Sequence, residues 1–449
     1  MASEHDNRDN RDDQLRRRRE ARKAQADQRK KQKKARREMM LRLAGVAVVV
    51  ALVAGLIYWV GPNANRQDPN TPQQTALTQE GAEDPATQPE APKSTGQEPT
   101  TVIHIAAAGD LNITDEVLKN AYDGSQYDFT SAFMDVAPVL TEADLTLMNF
   151  EGTLAGEPFG GERSSAPQVL AEQLEKIGVD VVQTANSASI RAGLLGLQST
   201  VDGFYQAGIL PVGTFADRTI FKKTGGYSIM NVNGIKIALV GFTKGMDNLG
   251  LPEGSEDCVN VLYRDYTTDY QKVDSESINR VLENVAKEKP DLTIAMVHWG
   301  SENNEDISAS QKKIRNLMIE GGVDIILGTH PHVVQSVAYD QEAGTLVAYS
   351  LGDFFGNAAQ AGTAYSMVLD IEVTRDNTTG VTKVTGFDYT PIYTLKPEDS
   401  QEGGHRVVRL KEAIARYDNS HIGRVTDDVY QSMTRAVTRL DERIKKEVK

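Results

Sequence analysis

From residue 101 onward the chain alternates short apolar runs with longer segments whose apolar positions recur at helical spacing. "TVIHIAAAGD" ends at Asp110, "DLTLMNFEG" passes Asn149 and Glu151, and "VDVVQTAN" ends at Asn186. "PDLTIAMVHWG" reaches His298, and "VDIILGTHPH" ends at His330 and His332. Short runs that are apolar almost throughout predict buried strands, and the stretches 167–177, 194–207, 272–288 and 308–320 predict helices between them. This alternation specifies an α/β domain whose sheets are largely covered on their outer faces.

Other stretches have an antiparallel pattern. "YSIMNVNGIKIALVGF" sets Asn233-Gly234 between two alternating segments, a hairpin signal. "GTLVAYSLGDF" and "AYSMVLDIEVTRDNTTGVTKVTGFDYTPIY" add strands, and the charged tail reads as helical and is expected to cap the domain. The expected main domain is 101–395, with a C-terminal helical extension at 396–449.

Ahead of residue 101 the pattern differs. Leu43 to Val60 is a run of 18 uncharged, almost wholly apolar residues, close to the ~20 a helix needs to cross a bilayer. Tyr58 and Trp59 stand at its far end, where amphipathic rings favour the interface. Residues 1–42 hold 16 Lys/Arg against 8 Asp/Glu, whereas the rest holds 33 against 55, a balance of +8 followed by −22. The basic flank should stay cytoplasmic and place the main domain outside the cell. A cleaved signal peptide fits less well, because the preamble is too long and "GPNANRQ" is a poor cleavage site. The expected layout is a basic cytoplasmic segment at 1–42, a membrane signal anchor at 43–61 and a Pro/Gln/Thr-rich disordered linker at 62–100. The basic block then serves topology and anionic lipid, not nucleic acid. Cys258 is the lone cysteine, which rules out an intramolecular disulfide.

The chain has only seven histidines in 449 residues, yet three follow predicted strands. In open α/β sheets the ligand site lies beyond the carboxyl ends of strands, so Asp110, Glu151, Asn186, His298, His330 and His332 have a reason to converge. Imidazoles mixed with carboxylates suit Zn, Mn or Fe, one ion or two, since a carboxylate can bridge. The candidate metal ligands are Asp110, Glu151, His298, His330 and His332; Asn149, Asn186 and Glu302 are candidates for substrate contact. Pro331 is expected to hold His330 in an extended conformation, so that "HPH" presents both rings to one side. Each residue has an ordinary reading when taken singly: Gly-Asp as a turn, His298 as a core histidine. Their common placement after five strands favours the metal reading.

"GD" at Asp110, "NFE" at 149–151, "TAN" at 184–186, "AGI" at 207–209, "HWGSE" at 298–302, "GGVDIILGTHPHVVQ" and "YSLGDF" occur in an order and spacing that resembles the CapA (PgsA) capsule-biosynthesis family. The resemblance covers about residues 101–360. It implies a calcineurin-like metallophosphatase fold, a four-layer α/β/β/α sandwich with a metal pocket at the strand ends. Asp110 and His332 would ligate one ion, His298 and His330 a second, with Glu151 bridging. It also implies an outward-facing membrane protein that supports synthesis of poly-γ-glutamate capsule or a related envelope polymer, beside other membrane subunits.

One stretch departs from that family. Where its pattern has Asn-Asn-His-Ala and then an acidic residue, this chain has Asn186-Ser187-Ala188-Ser189 and Arg191. An expected metal-ligating Asn is Ser187, and the expected acid or transition-state-stabilising His is Ala188. Loss of a positioned acid–base group costs typically ~10²–10⁴-fold in rate. Asp353 also stands where the family has Asn in "YSLGNF". The resulting expectation is a metal-binding protein with weak or absent catalysis; an active metal-dependent hydrolase and a purely structural partner are the rivals. The acidity beyond residue 42 opposes bulk attraction of an anionic polymer, which leaves metal ions or local cations such as Arg163, Arg191 and Lys244 to hold it.

Overall fold

The computed structural model describes residues 99–400, 403–418 and 425–444. The segments read as cytoplasmic, membrane-spanning and linking lie outside the described residues, apart from Pro99 and Thr100. Among the described residues no helix is long and apolar enough to cross a membrane.

The first sheet begins with parallel strands β1 (Thr100–Leu111), β2 (Leu145–Phe150), β3 (Val181–Gln183) and β4 (Leu210–Val212). The second contains β5 (Ser228–Val232), β6 (Ile235–Thr243), β7 (Leu292–His298), β8 (Ile325–Thr329), β9 (Val337–Asp340) and β10 (Thr345–Ala348), in the order β5-β6-β7-β8-β10-β9. Its four central strands are parallel. The chain then returns to the first sheet. β11 (Asp353–Phe355) pairs with the end of β1, and β12 (Tyr365–Asp376), β13 (Thr382–Leu395) and β14 (Arg406–Arg409) extend the opposite side antiparallel.

Side-chain alternation along the strands builds the layers. Ile103, Ile105 and Ala107 of β1 point between the sheets, where they share one core with Ile237, Leu239, Ile294 and Leu327. Ala106 and Ala108 point the other way and pack with Met148, Phe133, Leu170 and Phe204 under the first helical layer. Ala238, Ala295 and Ile326 do the same on the second sheet against Ile278, Val281 and Met318. The result is the α/β/β/α sandwich. Strands buried on both faces must be apolar throughout, which is why the period-two signal is muted in the sequence.

Four strands share a starting device. Asp144, Asp180, Asp291 and Asp324 immediately precede β2, β3, β7 and β8, and their carboxylates accept from the backbone N–H of His104, Thr146, Lys236 and Thr293 on the preceding strand of each sheet. Each aspartate's own N–H donates back to the carbonyl of that same residue. A carboxylate thus closes the amino end of the ladder, where a backbone donor would otherwise lack a partner. The opposite, carboxyl ends are left to the site.

The predicted helices form at Val169–Lys176, Gly193–Ala207, Ser275–Glu288 and Ala309–Glu320. The Asn-Gly hairpin joins β5 to β6, with both turn residues at positive φ (Asn233 50°, Gly234 86°) as a tight primed turn requires. The tail differs from the purely helical extension expected after 395. "RVVR" pairs with β13 as edge strand β14, a run too short to register as a strand by pattern alone. The helix Asp427–Ile444 then buries Met433, Ala436, Leu440 and Ile444 in the core between the sheets.

Candidate metal centre

The residues that follow the strands meet where the carboxyl ends of the two sheets face each other. Asp110, at the end of β1, is fully buried. It reaches that place because Gly109 lets the backbone pass the Gly352 carbonyl; a Cβ at 109 would stand 1.8 Å from that oxygen. Asp110 Oδ1 accepts from Asn149 Nδ2 at 2.5 Å, and Oδ2 accepts from the His330 backbone N–H at 3.1 Å. Asn186 Nδ2 in turn donates to Asn149 Oδ1 (3.0 Å) and to the Phe150 carbonyl (2.6 Å). Both asparagines are fully buried and engaged within the protein, next to the ligand cluster and not lining its cleft.

Glu151 follows β2 and receives its neighbours from the second sheet. Its Oε1 accepts from Ser187 Oγ and lies 3.3 Å from His298 Nε2. The Thr243 hydroxyl donates to the Gly245 carbonyl (2.8 Å) and lies 3.1 Å from His298 Nδ1. Its single hydrogen is thereby used, so Nδ1–H donates to Thr243 and the ring is held with Nε2 facing the Glu151 carboxylate. Ligating histidines have this arrangement, with one ring nitrogen held by a partner and the other left free.

His330 and His332 do not take the extended form expected from Pro331. Their φ values are 90° and 59°, and a bend, not a strand, carries "HPH". Such backbone in non-glycine residues costs on the order of 1–3 kcal/mol each and collects at functional sites. The bend places the His298 and His330 rings 4.4 Å apart and the His330 and His332 rings 6.0 Å apart. His332 Nδ1 lies 2.7 Å from Asp353 Oδ1 and 3.6 Å from Asp110 Oδ2, while its Nε2 lies 3.8 Å from Glu151 Oε2. Asp353, at the start of β11, is also held by Asn112 Nδ2 at 3.2 Å.

All five candidate ligands therefore converge, joined by Asp353. Two groups have ligand atoms within 4.8 Å of one another: Glu151 with His330 and His332, and Asp110 with His332 and Asp353. Sequence had flagged Asp353 as a departure without placing it. Its signal is the register of β11 beside β1, which sets Asp353 opposite Asp110.

The electrostatics describe a cluster short of positive charge. Burial, with the Glu151 and Asp353 charges, outweighs the nearby His332 and raises Asp110 to about 8. Burial raises Asp353 to about 6 against the pull of His332. Burial would lower His332, but Asp353, Asp110 and Glu151 overcome it and push the imidazole to about 11. Burial likewise raises Glu151, and the surrounding histidines reverse this and hold it below the usual carboxylate range. His330 is lowered by burial and by His298. Two of the buried atoms without a hydrogen-bond partner, Glu151 Oε2 and His330 Nδ1, lie in this cluster. Buried polar atoms are rarely left so, and together with the nitrogen- and oxygen-donor set they fit a divalent ion.

A cleft of about 380 Å³ opens from this cluster, lined by Ser187, Lys244, Tyr270, His298, Glu302 and His330 among others. Glu302 is exposed at its mouth. Lys244 Nζ donates to the Gly300 carbonyl at 2.8 Å, lies 3.3 Å from His330 Nε2 and sits 4.6 Å from the Tyr270 ring centre. Arg191 pairs with Asp247 at the rim and donates to Ser164 Oγ at 2.7 Å. A larger cleft of about 790 Å³ lies elsewhere, beside the C-terminal helix.

The capsule biosynthesis protein CapA of Bacillus anthracis is 26% identical over 275 residues, 58% of this chain and 62% of that protein. The PGA biosynthesis protein CapA of Bacillus subtilis (strain 168) is 26% identical over 263 residues, 58% of this chain and 65% of that one. The chain thus spans less than two thirds of the length of these curated relatives. Among solved structures, a novel phosphatase from Mycoplasma pneumoniae overlaps at 16% identity and a TM-score of 0.40, covering 66% of this chain and 94% of that one. The calcineurin-like phosphoesterase YfkN from Bacillus subtilis overlaps at 17% identity and a TM-score of 0.39, covering 65% and 91%. Scores this low bear on no activity. Residues 104–358, more than half of the chain, match the family described as bacterial capsule synthesis protein PGA_cap, and the chain belongs to that family.

Proposed function

We propose that this protein supports synthesis of an anionic envelope polymer of the poly-γ-glutamate class through a divalent-metal pocket of low catalytic power. The observation that carries this reading is the meeting of three histidines and three carboxylates from two sheets, with Glu151 Oε2 and His330 Nδ1 buried and without a hydrogen bond. Mn, Zn or Fe suits the donor set, one ion or two. A bound ion would supply Lewis acidity toward phosphoryl or carbonyl oxygens.

The chain's own residues do the rest. Asn149 and Asn186 fix Asp110, Thr243 fixes His298, and Asp353 fixes His332. Lys244 is the cation lining the cleft and would meet an anionic group entering it. Proton transfer is where the site is poor. Ala188 is buried and has no group to donate, and its N–H is spent on Asn186 Oδ1. Ser187 holds Glu151, and Arg191 is tied to Asp247 and Ser164. The role follows as holding polymer or organising a synthesis complex, with other membrane subunits as partners. The apolar run at 43–61 would anchor the protein, its N-terminus cytoplasmic and its main domain outside.

One observation favours a catalytic reading instead: Glu302 and Lys244, side chains of the kinds that serve as acid or base, both line the cleft. Assay of the Mn²⁺-loaded protein against a phosphodiester and against oligo-γ-glutamate separates the two. The proposal expects binding of the oligomer with little turnover of either. Turnover that disappears in His330→Ala would establish the hydrolase.

A further inference from the structure

The C-terminal helix Asp427–Ile444 reaches the loops after β7 and β8 through Arg443. Arg443 pairs with the Glu305 carboxylate and donates to the carbonyls of Val334 (3.0 Å) and Glu305 (3.4 Å). Glu305 lies in the loop that follows β7 and carries Glu302, while Val334 comes two residues after His332. These two loops are already laced together. Asn303 N–H donates to the Pro331 carbonyl at 2.9 Å, and Gln335 Nε2 donates to the carbonyls of Asn304 (2.9 Å) and Asp306 (3.1 Å). Gln335 is fully buried and its Oε1 accepts from Gln311 Nε2 at 2.8 Å. The loops are therefore tied to each other, and Arg443 ties them to the helix.

The helix end is itself fixed, because Leu440 and Ile444 are both about 1% exposed in the inter-sheet core. A lone exposed ion pair holds little. Arg443 differs in that one rigid, planar guanidinium spans acceptors on two separate loops. The helix also lies beyond the 104–358 span that matches the family.

We infer that Arg443 is a positioning residue: this chain recruits a C-terminal helix outside the matched family span to set the loops that carry Glu302 and His332. Its effect on metal uptake rests on the metal reading of the site; its effect on loop order does not.

The test uses the full chain as wild type, Arg443→Ala, Arg443→Lys and the exposed control Arg435→Ala. Hydrogen exchange is followed at 301–306 and 331–336, and Mn²⁺ affinity by titration calorimetry. In Arg443→Ala, exchange in both loops should rise about fivefold or more while β7 and β8 keep their protection. Mn²⁺ affinity should fall about 10-fold, the size of effect expected when a supporting contact around a metal site is lost. Arg443→Lys should recover part of both effects, and Arg435→Ala should match wild type. Unchanged loop exchange, or faster exchange spread evenly over the domain, would overturn the inference. A wild type that takes up no Mn²⁺ would sink the metal reading, and the exchange result would still decide the role of Arg443.

Discussion

His298 Nε2 faces Glu151 Oε1 at 3.3 Å, an imidazole delivered by the second sheet opposite a carboxylate delivered by the first. The site therefore exists only when both sheets are packed, and its ligands cannot preassemble within either. Metal should accordingly stabilise the fold as a whole, by the mass-action term that any ligand of the native state contributes.

Thr243→Val keeps the shape beside His298 and removes the oxygen that holds Nδ1. Mn²⁺ or Zn²⁺ affinity should fall about 10–100-fold, as for loss of other outer partners of ligating histidines. Glu151→Gln should cost more, because it removes a ligand atom. Calorimetric titration of the two variants checks the order.

Asp324 provides a pH signature away from the site. Burial raises its carboxyl to about 6 from an ordinary value of 3.8. Between those values the folded state binds more protons than the unfolded one, so this group's contribution to stability falls as pH rises through about 4 to 6 and is level above. The ionised form costs on the order of 2 kcal/mol at neutral pH once partial exposure is allowed for. Asp324→Asn keeps a carbonyl oxygen for the Thr293 N–H, so it should raise stability to urea by about 1–2 kcal/mol at pH 7.5 and by nothing at pH 4. A variant less stable at pH 7.5 would show that the charge is favourable.

Ser187→Asn/Ala188→His restores the two residue types that the family pattern places there. If proton handling is the missing part, turnover of a phosphodiester in Mn²⁺ should rise by about 10²-fold or more. An unchanged rate with metal still bound would place the deficiency elsewhere.

Lys244→Gln removes the cation that lines the cleft while keeping a hydrogen-bond donor for the Gly300 carbonyl. Affinity for oligo-γ-glutamate should fall about 10-fold, in line with loss of one charged hydrogen bond of about 1.5 kcal/mol. Binding that persists and strengthens with salt would point away from charge recognition.

Much of the frame was readable from residues. The five apolar runs announce strands, and the polar residues that close them mark the carboxyl ends where the candidate ligands meet. Pairing was not readable. Nothing local tells that β11 lies beside β1, so Asp353 could not be joined to Asp110 and His332 before the register was known. The bend at His330 and His332 defeated the proline rule because the closed site, not local preference, sets that backbone. Arg443 belongs to the charged tail, and its partners lie more than 100 residues away in sequence.

The most direct measurement is metal content and Mn²⁺ and Zn²⁺ affinity of the full chain at neutral pH, beside the His330→Ala/His332→Ala variant. A metal centre at these residues requires at least one tightly held ion in the wild type that the variant loses. No binding by the wild type, or equal binding by both, would contradict it and leave the histidines as hydrogen-bonded remnants of a metal site.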